Sequence, residues 1–270
     1  MVKQYEAGLL RFLEQDEYIK LIVDTLEMLP PEMIGNVGAV MFNLGYLPSE
    51  DDYEALPPGE LGKTEMWYVL DAKPGAHIIY GLNEGVDRAV LKEALENGTV
   101  MDTLRQVPVE AGDTFFIPAG TVHALCAGVV VAEIQQNSDT TYRIYDYNRP
   151  GLDGKPRELH VEDSLNVTAY EGAGATTMKT NNAAPGEWLK LAECPYFVVE
   201  KGIVTERWEL STSAESFTIL VVCEGSGTLE WDNAESDKIE LKAGQCYLLP
   251  ANLGSYTLDG NTTVLRSYLP

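Results

Sequence analysis

The chain has 270 residues, 45% of them hydrophobic, and its 42 acidic and 19 basic side chains give a formal net charge of −23 at pH 7. So acidic a surface repels phosphate backbones and anionic lipids, and this excludes nucleic acid and membrane surfaces as expected partners. The length suits one large β domain or two smaller ones.

The cysteines and the hydropathy indicate the compartment. The four cysteines are widely spaced and mostly within apolar runs, which favours buried thiols in a reducing compartment over disulfides or a zinc knuckle: Cys126, Cys194, Cys223 and Cys246. The first residues carry no signal-peptide pattern, and no apolar run reaches the roughly 20 residues of a membrane-spanning helix. We expect a cytoplasmic protein; its oligomeric state cannot be inferred from these patterns.

Residues 1–50 form an atypical N-terminal segment. Apolar positions recur at helical spacing over 3–15 and 17–29, and a buried strand follows at 38–44. A polar, proline-rich linker is predicted over 48–58. This helix–helix–strand order is an α/β pattern, unlike the rest of the chain.

Residues 51–180 are predicted to form a first β-barrel. Strands are expected at 66–70, 76–80, 128–134 and 141–145, with one or two helical turns at 161–167. A helical insert over 87–105 has Asp87 as its N-cap and Gly98 as its C-cap.

The stretch from Val109 to Leu125 reads as two short strands joined by a Pro-Gly turn. Its spacing is glycine, five residues, Pro-x-Gly, two residues and then His123. This resembles the second signature of the cupin β-barrels, in which the histidine faces the barrel interior and binds a metal. The alternative is a hairpin whose histidine only fills space.

Residues 181–270 repeat the pattern as a second β unit. Strands are predicted at 197–201, 207–210, 217–223, 228–231, 238–241, 246–249 and 262–267. The spacing of glycine, five residues and proline recurs from Gly244 to Pro250, but Ser255 occupies the position of the metal-binding histidine. The fold class is therefore mainly β, with two cupin-type β-barrels or jelly rolls in tandem, the second without a metal.

Glu65 stands directly before a bulky strand and resembles the glutamate that supplies a metal ligand in cupins, which makes it the second candidate ligand. With His123 it would give one carboxylate and one imidazole to a divalent ion such as zinc, iron, manganese or cobalt. Two ligands are too few, because a stable site needs three or four protein groups. The alternative for Glu65 is a solvated carboxylate.

Two cations complete the candidate site. Lys63 would share the face of Glu65 on a strand, and Arg143 falls in a predicted strand. In so acidic a chain they could form a local trap for a phosphate or a carboxylate; the alternative is a pair of surface salt-bridge partners. His77 and His160 lack ligand spacing and are interpreted as surface or loop residues.

Three segments make the resemblance specific: GKTEMWY from Gly62, PAGTVHAL from Pro118 and QQNSDTTYRIYD from Gln135. From about residue 51 to the end, the chain resembles the short bacterial type I mannose-6-phosphate isomerases. The resemblance implies a metal-dependent exchange of mannose 6-phosphate and fructose 6-phosphate, with zinc as the expected metal. It implies Glu65 and His123 as metal ligands, Arg143 as the catalytic arginine and Lys63 as the lysine beside the sugar phosphate.

The chain departs from that family upstream of Lys63. The family has a Gln-x-His-Pro strand that gives two more metal ligands, whereas this chain has Gly45 and Leu47 at those positions. Neither side chain can bind a metal. The stretch from Ala39 to Pro48 instead resembles a late segment of a small family ascribed to RNA methylation. Two hypotheses follow: an isomerase impaired by the lost ligands, or a catalytically inactive cupin that binds a sugar phosphate or acts as an interaction module.

Overall fold

The computed structural model describes residues 39–44, 62–138, 140–147, 154–171, 176–179, 183–231 and 238–270. The chain divides into two compact parts, Met1–Val40 and Met41–Pro270. Both predicted β units belong to the second part, and the names first unit (residues 51–180) and second unit (residues 181–270) refer to them. The helices predicted at 3–15 and 17–29, the linker at 48–58, and positions 45 and 47 lie outside the described residues.

The described residues of the first half of the chain form two sheets and two helices. The five-stranded sheet has the order β1-β7-β2-β5-β8 and the three-stranded sheet the order β4-β3-β6. The strands are β1 (Ala39–Leu44), β2 (Glu65–Ala72), β3 (His77–Leu82), β4 (Leu104–Pro108), β5 (Asp113–Ile117), β6 (His123–Leu125), β7 (Val129–Gln136) and β8 (Thr176–Lys179). The helices are α1 (Arg88–Asn97) and α2 (Val161–Val167), and a 3₁₀ turn spans Val100–Thr103.

The second half is one antiparallel seven-stranded sheet. Its main path runs β13-β12-β15-β10-β9, with β11 on β15 and β14 on β12. The strands are β9 (Trp188–Glu193), β10 (Val198–Val204), β11 (Trp208–Ser211), β12 (Thr218–Trp231), β13 (Lys238–Lys242), β14 (Cys246–Leu249) and β15 (Ser255–Tyr268). The sheets of the described residues do not close into full barrels, but the mainly β architecture agrees with the predicted class.

The five-stranded and seven-stranded sheets pack face to face across a shared apolar core. Met66 and Tyr68 on β2 and Ile134 on β7 meet Val199 on β10 and Leu265 on β15. Because successive residues of a strand face opposite sides, Glu65, Trp67 and Glu133 lie on the other face of their sheet. The core therefore aims these polar side chains at the interior of the first unit.

The helix-capping residues and apolar spacing in the sequence predicted α1 and α2 correctly. The Asp87 carboxylate accepts a hydrogen bond from the Val90 N–H at 2.9 Å, and Gly98 adopts the left-handed conformation with φ 72°. Helix α1 packs against α2 through Leu91 and Leu165, both buried. Within the described part of the chain, no helix has the length and apolar character needed to cross a bilayer.

Three strand predictions need correction. No strand forms at 141–145, because the backbone there bonds to the His160 segment instead of to a sheet. The strands predicted at 217–223 and 228–231 are one strand, β12, since Gly225 and Gly227 continue the ladder against β15 and Cys223 is a bulge. Strands β4, β8 and β9 were not predicted.

The cysteine prediction is correct only in part. All four cysteines are free, as expected, and three are half-buried. Cys246, at the start of β14, is exposed, although its pairing with Val221 places it on the core side of the sheet.

Candidate active site

His123 and Glu65 come from different sheets and meet inside the first unit. Glu65 opens β2 in the five-stranded sheet, and His123 opens β6 in the three-stranded sheet, opposite Tyr80. The His123 Nε2 atom lies 2.6 Å from Glu65 Oε1, and the Glu65 side chain is 0% exposed. The structure thus brings together the imidazole and the carboxylate that the sequence paired.

The Pro-Gly turn before β6 fixes the position of the imidazole. The Thr121 N–H donates to the Pro118 carbonyl at 3.1 Å, which closes the turn. Gly120 has φ +84°, and a Cβ there would lie 2.6 Å from the Val167 carbonyl oxygen, so only glycine fits. His123 then leaves the turn with one ring orientation.

The His123 tautomer follows from its two neighbours. Nδ1 lies 2.7 Å from the Thr121 carbonyl oxygen, which can only accept, so Nδ1 carries a proton. In a neutral ring, the Nε2 lone pair would then face a Glu65 oxygen at 2.6 Å. That contact requires positive charge between the atoms, either a second proton on the ring or a bound cation.

Lys63 places an ammonium group between two carboxylates. Its Nζ forms an ion pair with Glu65 Oε2 and a second with Glu133 Oε1, the latter at 2.9 Å. Lys63 precedes β2 and is not part of it, but its side chain reaches the face of Glu65, as predicted. An ammonium has three N–H groups, so one remains for a substrate oxygen.

Glu133 is the residue that the sequence analysis missed. It stands on β7 opposite Trp67, whose Nε1 donates to Glu133 Oε2 at 3.0 Å, while Oε1 accepts from Lys63. Both carboxylate oxygens are thereby engaged, so Glu133 holds the ammonium and the indole in place. A lone carboxylate within the apolar run VVVAEI was the signal that could have identified it.

The charged groups of the cluster shift one another's pKa values. Burial alone would raise the pKa of Glu65, but the hydrogen bond and charge of His123, together with Lys63, lower it to about 2. Burial alone would lower the pKa values of His123 and Lys63, yet the carboxylates raise both above their ordinary values. Burial and the neighbouring Glu65 charge raise the pKa of Glu133. With a neutral imidazole the four groups carry a net charge of about −1, which favours one further positive charge.

Arg143 does not join this network in the described residues. Its Nη1 donates to the Glu158 carbonyl at 3.1 Å, and its backbone N–H donates to His160 Nδ1 at 3.2 Å. His160 lies in a loop, as expected, and serves there as an anchor for the Arg143 backbone.

The family resemblance implies a bound metal, and two residues of the site could act as its ligands. Glu65 Oε1 and His123 Nε2 converge and could occupy two coordination positions, with the Thr121 carbonyl fixing the tautomer that a metal needs. Among the described residues, however, no group of three or more His, Cys, Asp or Glu side chains could hold a metal ion. Positions 45 and 47, which carry two ligands in the family, are Gly and Leu in this chain, so the described residues supply two of the three or four ligands that a stable site needs.

The chain is similar in sequence to known mannose-6-phosphate isomerases. A family model of the mannose-6-phosphate isomerase cupin domain matches residues 187–269. YvyI of Bacillus subtilis, named for the same activity, is 37% identical over 222 residues, which cover 81% of this chain and 69% of YvyI.

Two solved structures show the same fold. A mannose 6-phosphate isomerase crystal structure from B. subtilis superposes with a TM-score of 0.67 at 34% identity, covering 77% of this chain and 65% of that chain. A mannose 6-phosphate isomerase crystallised with zinc and yttrium superposes at 0.56 with 18% identity, over 82% of this chain and 69% of that chain, and shares the fold. This chain thus spans about two thirds of the length of these relatives. By sequence identity and by fold, the chain belongs to the mannose-6-phosphate isomerase family.

Proposed function

We propose that the chain is an aldose–ketose isomerase that interconverts mannose 6-phosphate and fructose 6-phosphate. The observation that supports this most strongly is the meeting of Lys63, Glu65, His123 and Glu133 on the inner face of the first unit. The family relationship provides the substrate class, since the similar proteins are named for that sugar phosphate.

The reaction moves a proton between C2 and C1 of the open-chain sugar through an enediol. Negative charge develops on the oxygens of those two carbons, and a fixed cation in a dry site stabilises it most effectively. We assign this role to Lys63, which is 17% exposed and is held by Glu65 and Glu133. The remaining N–H of the Lys63 ammonium is available to donate a hydrogen bond to the substrate oxygen.

The two carboxylates position the neighbouring groups, and His123 is the residue that gains and loses a proton. Glu133 accepts a hydrogen bond at each oxygen, whereas Glu65 accepts from Lys63 at Oε2 and its Oε1 faces His123 Nε2. His123 holds one proton on Nδ1 and exchanges a second on Nε2. Arg143, the catalytic arginine implied by the family resemblance, remains a proposal, as does the pair Glu65 and His123 as metal ligands.

The family resemblance leads us to expect a metal-dependent reaction. Zinc, if bound, would supply a Lewis acid at the sugar oxygens. Since Glu65 and His123 are two ligands where three or four are needed, we expect zinc to bind this chain weakly and activity to be impaired relative to a complete site.

The test measures turnover and bound metal together. Formation of fructose 6-phosphate from mannose 6-phosphate is followed with and without added zinc, on the full chain and on the Lys63→Met and Lys92→Met variants. We expect turnover in the full chain, a fall of about 10²–10³-fold for Lys63→Met, and no change for the surface control Lys92→Met. Tight binding of the sugar phosphate without turnover would refute the proposal and support an inactive sugar-phosphate-binding cupin.

A further inference from the structure

The second unit contains a groove of about 620 Å³ on the seven-stranded sheet. It is lined by Trp188, Arg207, Leu210, Tyr256, Thr257 and Arg266, among others. Small-molecule sites typically measure about 300–1,000 Å³, so this groove has the size of a ligand site. None of the four residues of the candidate active site lines it.

Strand register places the groove on the face that points away from the shared core. Trp188 pairs with Gly202, and Glu200 pairs with Arg266, so all four residues share one face. Val199 alternates with them and packs in the shared core. This face is the interior face of the second β unit, where the first unit carries its own site.

Gly202 makes room for two indole rings. A Cβ at this position would lie 2.7 Å from the Trp188 ring and 2.8 Å from the Trp208 ring. The ring centroids are 4.7 Å apart, and the Arg266 guanidinium carbon lies 4.1 Å from the Trp188 centroid. The groove therefore has a wall of stacked planar groups whose positions are fixed by packing.

The charges at the groove are paired within the protein. Arg266 Nε donates to Glu200 Oε2 at 2.6 Å, and Arg207 Nη1 lies 3.2 Å from Glu230 Oε2. Glu209 also lines the groove. Each guanidinium of the lining is thus neutralised by its own carboxylate partner, and Glu209 adds a negative charge, which disfavours a phosphate or a carboxylate ligand.

The groove offers hydrogen-bonding groups of both kinds. The Trp188 Nε1 atom is buried and has no hydrogen-bond partner among the described residues. Burying such a donor unpaired costs about 1–3 kcal/mol, which a ligand oxygen would recover. Hydroxyl groups line the groove beside it, on Ser211, Ser255, Tyr256 and Thr257.

We propose that this groove binds an uncharged sugar ring. A pyranose carries hydroxyls that both donate and accept, and it has apolar C–H faces that pack on aromatic side chains. The lining matches both properties, and the balanced charge favours a neutral ring over a sugar phosphate. The proposal is independent of the isomerase assignment, because it uses no residue of the first unit.

The experiment titrates the full chain with D-mannose, D-glucose and inorganic phosphate, followed by saturation-transfer NMR and calorimetry. It is run in the Lys63→Met background, so that binding at the proposed isomerase site is separated from binding at the groove. The test variant is Trp188→Phe, which keeps a ring but removes the N–H. The matched control is Trp231→Phe, a tryptophan that does not line the groove.

We expect saturable millimolar binding of at least one sugar, weakened about tenfold by Trp188→Phe and unchanged by Trp231→Phe. Should Trp188→Phe not fold, Ser211→Ala at the exposed rim is expected to weaken binding several-fold. No saturable binding, preference for phosphate, or equal effects of the two tryptophan changes would each overturn the proposal. These outcomes can be interpreted even if Lys63→Met abolishes isomerase activity, because they concern sugar binding alone.

Discussion

Replacing Lys63 by Met tests whether the ammonium holds the two carboxylates in place. The change removes both ion pairs and leaves Glu65, with its fully buried side chain, beside Glu133, whose side chain is 9% exposed. Breaking a fully buried pair costs about 3–5 kcal/mol. Because Lys63 is 17% exposed and partly screened, we expect a loss of about 2–4 kcal/mol in the free energy of unfolding.

The assay is urea denaturation of the full chain at pH 7, with Lys92→Met as the matched control. Lys92 pairs with Glu162 at 2.8 Å, but both side chains are exposed, at 44% and 62%. The control should lose less than about 1 kcal/mol. Equal losses in the two variants would refute the idea that Lys63 compensates buried charge.

The double variant Lys63→Met with Glu133→Gln separates charge from packing. Neutralising Glu133 removes one of the two uncompensated carboxylates, so the double variant should be more stable than the sum of the single changes predicts. We expect a coupling energy of about 1 kcal/mol or more in a double-mutant cycle. Simple additivity would show that the two side chains do not interact.

Three further predictions concern metal affinity, pH and the turn. Gly45→Gln with Leu47→His should tighten zinc binding about tenfold or more, measured by chelator competition; no gain would contradict the assigned register. Burial raises the pKa of Tyr80 to about 12 from 10, so a contribution of about 2–3 kcal/mol at most is present below pH 10 and lost as pH rises towards 12. Tyr80→Phe should flatten the stability profile over that range, and an unchanged slope would count against it. Gly120→Ala should lower the free energy of unfolding by about 2–4 kcal/mol, measured by thermal denaturation. Gly98→Ala, where a Cβ would meet no neighbouring atom, should lower it by about 1 kcal/mol, and equal losses would refute the steric argument.

The parts of the site that are local in sequence could be predicted, and those set by distant contacts could not. His123 was identifiable because the turn that aims it lies within the five residues before it. Glu65 was identifiable from the bulky strand that directly follows it, as in the cupins, and Lys63 from strand alternation relative to Glu65. Glu133 was missed because its partners, Lys63 and Trp67, lie 70 and 66 residues away, and only the pairing of β2 with β7 brings them together.

The same distinction holds for the fold. Helix α1 carries its own caps and was predicted close to its observed ends. The strand predicted around Arg143 has suitable residues, but a strand needs a neighbour, and the backbone there bonds to His160 instead. Gly225 and Gly227 lie in the gap left between the strands predicted at 217–223 and 228–231, yet their close approach to β15 requires them inside one long strand.

The most direct test of the central claim is the conversion of mannose 6-phosphate in D₂O, followed by NMR on the full chain. If the Lys63–Glu65–His123–Glu133 cluster removes the C2 proton onto a group that exchanges with solvent and then protonates C1, fructose 6-phosphate will accumulate with partial deuterium at C1. If the sugar phosphate binds and is recovered without isomerisation or deuterium, the cluster is not an isomerase site.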